Sequence, residues 1–206
     1  MLIHETNVGL LPLEVIRDDA LTPKIFMTLT KPNILSSLSE SQISSLADAL
    51  KIQTRMISKG APPHIISTGL AQLFVRIDDL ENVKALTPDL EKIKALEEKL
   101  RITGIAVFTL NTVSDETSAH LRFFAPSIGI SEDAAAGSAA GGLGVYLAMT
   151  KALPEPKLID FSVEQGLELG RPSRLYVSVR SRNGYPEAVK VGGYSTTLLN
   201  GTLKLE

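Results

Sequence analysis

The chain has 206 residues, of which 44% are hydrophobic and 21% are charged, and this globular composition excludes a disordered or low-complexity chain. The 21 basic and 23 acidic side chains leave a net charge of −2, which gives no overall electrostatic attraction to nucleic acid or to an anionic membrane. The lack of cysteine excludes disulfides, thiolate zinc sites and a cysteine nucleophile, and the histidines His4, His64 and His120 form no metal-binding motif.

Nothing in the sequence predicts insertion into a membrane or export. Its apolar runs are shorter than the about 18 residues that a membrane-spanning helix requires, and the first residues lack the order of a signal peptide. We therefore expect a cytoplasmic protein with neither a nucleic-acid nor a membrane partner.

The first part of the chain predicts two strands and one helix. Residues 8–17 alternate between aliphatic and other side chains, and residues 25–30 form a second aliphatic run, so the two segments predict a pair of strands. Ser39 and Gln42 have the spacing of a capping box, which predicts a helix that begins just after Ser39.

A Gly-Ala-Pro-Pro segment at residues 60–63 is the clearest break in composition and predicts a linker. We therefore divide the chain into a partial N-terminal domain at residues 1–60 and a C-terminal domain at residues 61–206. The last strands of the chain are candidates to return to the first domain.

The second part predicts several strands and two helices. Thr87 as N-cap and Pro88 at the first helical position predict a helix that reaches residue 100. Residues 138–151 are small and apolar on every side, which predicts a buried helix. The strands are predicted at residues 72–78, 104–110, 120–125, 158–163, 175–180, 188–191 and 196–205, the last with a hairpin turn at residues 200–201.

Strands outnumber helices in this order, and few segments alternate strictly as β-α-β, so the predicted fold class is α+β. A helix that is apolar on every side, placed among many strands, favours a mixed sheet wrapped around that helix.

The segment most informative about chemistry lies between a predicted strand and the buried helix. A polar, glycine-rich turn there contains Asp133, Gly137 and Ser138. The first turn of a helix has unpaired backbone N–H groups and the positive end of the helix dipole, so it favours a carboxylate or phosphate. Asp133 beside such a pocket is a candidate for proton transfer. The alternative is that Asp133 or Ser138 only caps the helix and that the glycines serve packing.

Residues 122–147, RFFAPSIGISEDAAAGSAAGGLGVYL, resemble the signature of the phenazine-biosynthesis (PhzF-like) isomerase family, R-x-F-x-P-x-x-G-x-x-E-D-P-A-T-G-S-A. Three further segments resemble other parts of the same family: residues 67–96, the opening strand segment and the tail from residue 185. The resemblance covers essentially the whole chain.

This resemblance implies a diaminopimelate-epimerase-like fold, in which mixed sheets wrap around a central helix in each of two domains and the active site lies between them. It also implies an isomerase that moves a proton on a small carboxylic acid without a metal or an organic cofactor. Carried over by position, Asp133 and Ser138 are the candidate catalytic residues, and Gly137, Ala139 and Ala140 are the candidate substrate-binding residues.

The sequence departs from the family pattern in two respects. Ala134 and Ala136 stand where the motif has proline and threonine, so a backbone restraint and a hydroxyl group are missing. The resemblance also places roughly eighty residues before this chain, with the first domain's central helix, a Gly-His motif and the glutamate expected to be the main acid/base.

These departures leave three interpretations of the chain's function. The chain is an isomerase by descent that is inactive alone, the C-terminal subunit of a split isomerase, or a non-catalytic protein that binds a small carboxylate or another protein. In each case the apolar face of the first strands must be buried against another polypeptide segment. We expect either a homodimer or a separately encoded N-terminal half to provide it.

Overall fold

Strands of one mixed sheet make up much of the described chain, which in this computed structural model covers residues 2–7, 9–17, 22–152, 160–183, 185–195, 197–202 and 204. The α-helices of this part are α1 (Glu40–Leu50), α2 (Leu80–Lys84), α3 (Leu90–Leu100) and α4 (Gly137–Thr150). Its strands are β1 (Leu2–Thr6), β2 (Gly9–Ile16), β3 (Lys24–Thr28), β4 (Asn33–Ser37), β5 (His64–Ser67), β6 (Ala71–Arg76), β7 (Ile105–Thr109), β8 (Ala119–Ala125), β9 (Ile130–Asp133), β10 (Asp160–Gln165), β11 (Ser173–Arg182) and β12 (Tyr185–Tyr194).

The strand order across the sheet is β1-β2-β3-β12-β11-β10-β8-β7-β6-β5-β4, and β9 pairs with β8 beside this path. The pairs β6–β7 and β8–β10 are parallel, and the other neighbours are antiparallel. Strand β12 joins β3 to β11, so the last described strand connects the first strands of the chain to the rest of the sheet.

The sheet wraps around α4, as the sequence predicts. Residues 139–148 of α4 are buried and pack in one apolar cluster with side chains of the surrounding strands. A Cβ atom on Gly142 would lie 2.3 Å from Phe74 Cζ of β6, and one on Gly144 would lie 2.7 Å from Val177 Cγ1 of β11. The small residues of α4 therefore let strands on different sides of the helix approach it closely. This arrangement confirms the α+β class and the wrapped central helix.

A second apolar core lies on the other face of strands β5 to β8. Helices α1 and α3 contribute Leu46, Leu50 and Ile93 to it, and these pack with Leu73 of β6 and Val107 of β7. Helix α1, which precedes the predicted linker, thus shares a core with strands that follow it. The division into domains at residue 60 stays a prediction.

The observed helix starts agree with the predicted ones to different degrees. Ser39 caps α1, and both hydrogen bonds of the capping box with Gln42 are present. The N-cap of α3 is Asp89 rather than the predicted Thr87, because the Asp89 carboxylate accepts a hydrogen bond from the Lys92 amide and the Asp89 amide donates to Ala49 O of α1. Helix α4 begins at Gly137, one residue before its predicted start.

The predicted strand at residues 196–205 is wrong where it can be assessed. Residues 197–202 belong to no strand, and the remainder of the segment lies largely outside the described residues. Leu198 and Leu199 are 92% and 89% exposed, since neither pairing nor packing holds this segment against the sheet. Strands β1, β4, β5 and β9 are not among the predicted elements, because each has only four or five residues and none shows a clear two-residue period.

Among the described residues, no helix has both the length and the apolar composition needed to cross a bilayer.

Candidate functional site

The candidate site is the turn between β9 and α4. Ala136 is the N-cap of α4, and its side chain provides no hydrogen bond to the helix. In the described part of the chain, the amides of Gly137, Ser138 and Ala139 have no protein acceptor, whereas the Ala140 amide donates to Ala136 O at 2.9 Å. Three N–H groups at the positive end of a 14-residue helix are thus available to an anion.

Asp133, the last residue of β9, does not cap this helix. Its Oδ1 accepts a hydrogen bond from the Ala135 amide at 3.0 Å, which closes a tight local turn. Within the described residues its Oδ2 has no hydrogen-bond donor, and the side chain is half-buried. One oxygen of the carboxylate is therefore fixed by the turn while the other remains available.

A buried glutamine holds the turn from the side of β10. Gln165 is fully buried, its Oε1 accepts from the Ala136 amide at 3.1 Å, and its Nε2 donates to Asp133 O at 2.6 Å. Ser173 Oγ of β11 donates to Ala134 O at 2.6 Å. These bonds fix the backbone of the turn without occupying the three open amides of α4.

A second buried glutamine, Gln72 of β6, contacts the helix start from the opposite side. Its Nε2 donates to Ser138 Oγ at 3.0 Å. Gln72 and Gln165 are not candidates in the sequence analysis. The sequence does carry a signal for them. Gln72 lies two residues from Phe74 in β6, and Gln165 lies two residues from Val163 in β10, so each glutamine is a polar residue on a core-facing side of its strand and needs a buried hydrogen-bond partner.

A cavity of about 500 Å³ opens beside the helix start. Gly137 lines it, so one of the open amides belongs to a residue on the cavity wall. The walls also include Met27, Ser173, Leu175 and Val191. A cavity of this size with an apolar wall and a few polar groups suits a small organic acid.

The structure thus brings Asp133, Gly137 and Ser138 together at one turn. The side chains of Ala139 and Ala140 are buried in the core around α4, so neither lines the cavity. Ala139 can contribute only its amide. The Ala140 amide is not among the open ones, because it donates to Ala136 O. The assignment of Ala139 and Ala140 to substrate binding stays a prediction.

A cluster of buried charges lies on the other face of the sheet. His120 and Leu121 are consecutive residues of β8, so their side chains point to opposite faces of the sheet. Leu121 packs in the core around α4, so His120 points away from the candidate site. His120 Nδ1 lies 2.8 Å from Glu164 Oε1, and Nε2 lies 3.0 Å from Glu168 Oε1. Because both ring nitrogens face carboxylate oxygens, we assign the ring as a doubly protonated cation.

The pKa shifts of this cluster agree with that assignment. Burial alone would lower the pKa of His120, but its hydrogen bonds to Glu168 and Glu164 outweigh burial and raise the pKa above 6.5. Burial likewise opposes ionisation of the two glutamates, but hydrogen bonds outweigh it and lower both pKa values. Among the described residues, no group of three or more His, Asp or Glu side chains has an arrangement that could hold a metal ion.

Residues 1–201 of the chain match the phenazine biosynthesis-like protein family, PhzC-PhzF. The chain belongs to this family. An uncharacterized isomerase of Clostridium acetobutylicum is 30% identical over 203 residues, which are 98% of this chain and 67% of that protein. The trans-2,3-dihydro-3-hydroxyanthranilate isomerase of Pseudomonas aeruginosa is 28% identical over 200 residues, 97% of this chain and 66% of that enzyme.

A solved structure with the same fold is the PhzF-family phenazine biosynthesis protein of Bacillus anthracis. The TM-score is 0.79 at 23% identity, over 94% of this chain and 66% of that one. This likeness supports the diaminopimelate-epimerase-like fold that the sequence resemblance implies.

Proposed function

We propose that this chain is an isomerase-family protein that binds a small carboxylic acid at the start of α4. The observation that carries the proposal is the uncapped helix start, where the amides of Gly137, Ser138 and Ala139 have no acceptor in the described part of the chain. An anion bound there replaces the missing cap and interacts with the positive end of the helix dipole. Membership of a family with named isomerases supports an organic acid as the ligand.

The chemistry we propose is proton abstraction and redelivery, with Asp133 as the acid/base group on this chain. Asp133 is the only carboxylate among the described residues that line the cavity or bond to the turn. Its fixed Oδ1 and unengaged Oδ2 suit a group that exchanges a proton with a ligand held at the adjacent amides. Ser138 contributes a hydroxyl at the same turn. No metal or organic cofactor is part of this proposal.

We further propose that the isolated chain does not catalyse isomerisation, because the glutamate expected from the family resemblance is not part of the site described above. General acid/base catalysis by one positioned group contributes about 10²–10⁴-fold to a rate. Proton NMR in deuterium oxide would measure exchange into trans-2,3-dihydro-3-hydroxyanthranilate, the compound named for the Pseudomonas relative. We expect no exchange above the uncatalysed rate. Exchange that Asp133→Asn abolishes would contradict the inactivity and assign the acid/base role to Asp133.

Binding without catalysis is the second candidate function, and the alanine at position 136 favours it. This residue removes the hydroxyl that the family motif places at the helix start. The two functions share the same carboxylate site and differ only in proton transfer. Because neither predicts exchange by the isolated chain, the deuterium experiment separates them when it is repeated with a chain that supplies the expected glutamate: exchange then supports the isomerase, and its continued absence supports binding alone.

Binding itself is tested by titrating ¹⁵N-labelled protein with anthranilate, a stable acid that has the carboxylate and amine of the named compound. We expect the amide resonances of Gly137, Ser138 and Ala139 to shift in a saturable manner. Anthranilamide is the matched control, because it keeps the ring and amine but replaces the carboxylate with a neutral amide. Equal shifts with both compounds, or no shift at these amides, would contradict an anion site.

We also propose that another chain, either a second copy or a separately encoded N-terminal half, covers the first strands. Register pairs Leu2 with Leu13 and Leu13 with Met27, so these side chains share one face, which continues into the core at Val191. Leu2 is 61% exposed at the free edge of this face. Burial of each such side chain is worth about 1.5–3 kcal/mol, which favours association.

Sedimentation velocity at micromolar concentration tests this proposal. We expect a dimer for the chain alone, and monomers or aggregates for the double variant Leu11→Asp/Leu13→Asp. The control is Leu198→Asp/Leu199→Asp, which alters two exposed leucines outside the sheet and should leave the sedimentation coefficient unchanged. A stable monomer whose mass the first double variant does not change would contradict association through these strands.

A further inference from the structure

Gln72 is a buried amide side chain in an apolar environment. It is 1% exposed and lies on the face of β6 that Phe74 directs toward α4. Burying such an amide is unfavourable unless it makes hydrogen bonds. The hydrogen bond that the structure gives this side chain runs from its Nε2 to Ser138 Oγ, at the start of α4.

This bond determines what the Ser138 hydroxyl can still do. A serine hydroxyl has one proton to donate and two lone pairs that accept. Because Gln72 occupies a lone pair, the proton points away from Gln72. Within the described residues, Ser138 Oγ has no protein acceptor for that proton.

The usual acceptor in a helix is the carbonyl four residues earlier. Thr150, in the last turn of the same helix, follows this rule and donates to Tyr146 O at 2.8 Å. For Ser138 that residue is Ala134, which precedes the N-cap Ala136, so its carbonyl is not part of the helix; Ala134 O accepts from Ser173 Oγ at 2.6 Å. Within the described residues, Ser138 Oγ makes no bond of the kind that Thr150 makes.

We propose that Gln72 is a positioning residue that sets the Ser138 hydroxyl as a hydrogen-bond donor to the bound carboxylate. The helix start then presents four donors to the ligand, which are three amides and one hydroxyl, whereas the unengaged Asp133 Oδ2 is an acceptor at the same turn. The four donors suit a carboxylate better than a neutral amide, because the amide has one acceptor oxygen in place of two and its NH₂ group cannot pair with a donor. This inference rests on the proposed function, since it concerns the ligand of the same turn.

The test is the anthranilate titration carried out on a double-mutant cycle of Gln72→Met and Ser138→Ala. We expect Ser138→Ala to weaken binding about tenfold, and Gln72→Met to weaken it roughly two- to tenfold. In the Ser138→Ala background, Gln72→Met should have no further effect, because the residue acts through the hydroxyl. A residue with only a structural role would weaken binding equally in both backgrounds, and that result would overturn the proposal.

Two further variants define the direction of the bond. Gln72→Glu turns the donor into an acceptor that takes the Ser138 proton, so it should bind anthranilate more weakly than Gln72→Met. Gln53→Met, at an exposed glutamine remote in sequence from the turn, is the matched control and should bind as the wild type does. Equal binding by Gln72→Glu and the wild type would overturn the proposal.

A ligand-free measurement keeps the test informative if a Gln72 variant does not fold. In the unliganded protein, Ser138→Ala should shift the side-chain NH₂ resonances of Gln72, because they lose their acceptor. Unchanged resonances would mean that Gln72 does not donate to Ser138. A wild-type protein that binds no anthranilate would instead refute the proposed function, so the two failures are distinguishable.

Discussion

Substituting serine for Ala136 would give α4 the cap that it lacks. Ala136 has φ −86° and ψ 95°, an extended conformation suited to an N-cap, and the following N2 and N3 amides of Ser138 and Ala139 have no acceptor in the described part of the chain. A serine Oγ at this position accepts from one of those amides. The Ala136→Ser variant should therefore gain the free energy of a new cap and compete with any external anion.

The magnitude follows from measured caps in other helices. Exchanging alanine and serine at an N-cap changes the free energy of unfolding by about 0.5–2 kcal/mol, typically ~1 kcal/mol. For a chain of this length that raises the melting temperature by about 2–4 °C. If the bound carboxylate must displace the new cap, a cost of ~1 kcal/mol weakens its binding about fivefold.

Differential scanning calorimetry measures the first effect and the anthranilate titration measures the second. Ala85→Ser is the control, because it adds the same hydroxyl at an exposed position that is neither an N-cap nor part of the cavity wall. We expect this control to melt and bind as the wild type does. An Ala136→Ser protein with neither added stability nor weakened binding would show that the helix start is not open to a cap or to an anion.

Two further predictions concern pH. Since the hydrogen bonds of Glu164 and Glu168 raise the pKa of His120 above 6.5, its stabilising effect is complete below that value and is lost as the pH rises through the raised pKa. In urea titrations the stability difference between wild type and His120→Gln should therefore shrink between neutral and alkaline pH, and a constant difference would contradict the ionic assignment. Burial raises the pKa of Glu97, whose Oε2 accepts from the Ser127 amide, so the folded protein loses stability as the pH rises above 4.5. Glu97→Gln should be more stable than the wild type at pH 7 by urea denaturation and equally stable near pH 4, and a destabilised variant at pH 7 would contradict this.

The central helix and its surroundings could be predicted because the information is local. Residues 137–150 are small and apolar on every side, which fits only a helix enclosed by other elements. The capping box at Ser39 is equally local, and it formed as predicted. Edge strand β1 pairs with β2, which follows it directly, but its side chains are mostly exposed and show no apolar alternation. The true extent of β12 depends on pairing with β3, which is distant in sequence.

The candidate site could be predicted only in part, for the same reason. The motif identifies Asp133, Gly137 and Ser138, which are near one another in sequence. The two glutamines that hold the turn are distant, with Gln72 66 residues before Ser138 and Gln165 29 residues after Ala136. Only the folded sheet, which places β6 and β10 around the same helix start, brings these amides to the turn.

The most direct test of the carboxylate site is a crystal structure of the chain with bound anthranilate. We predict that the ligand carboxylate lies at the start of α4, with its oxygens about 2.7–3.2 Å from the amide nitrogens of Gly137 and Ser138 and from Ser138 Oγ. The aromatic ring should extend into the cavity beside Val191. A ligand bound elsewhere, or one that contacts the turn through its amine and leaves the three amides open, would show that the start of α4 is not a carboxylate site.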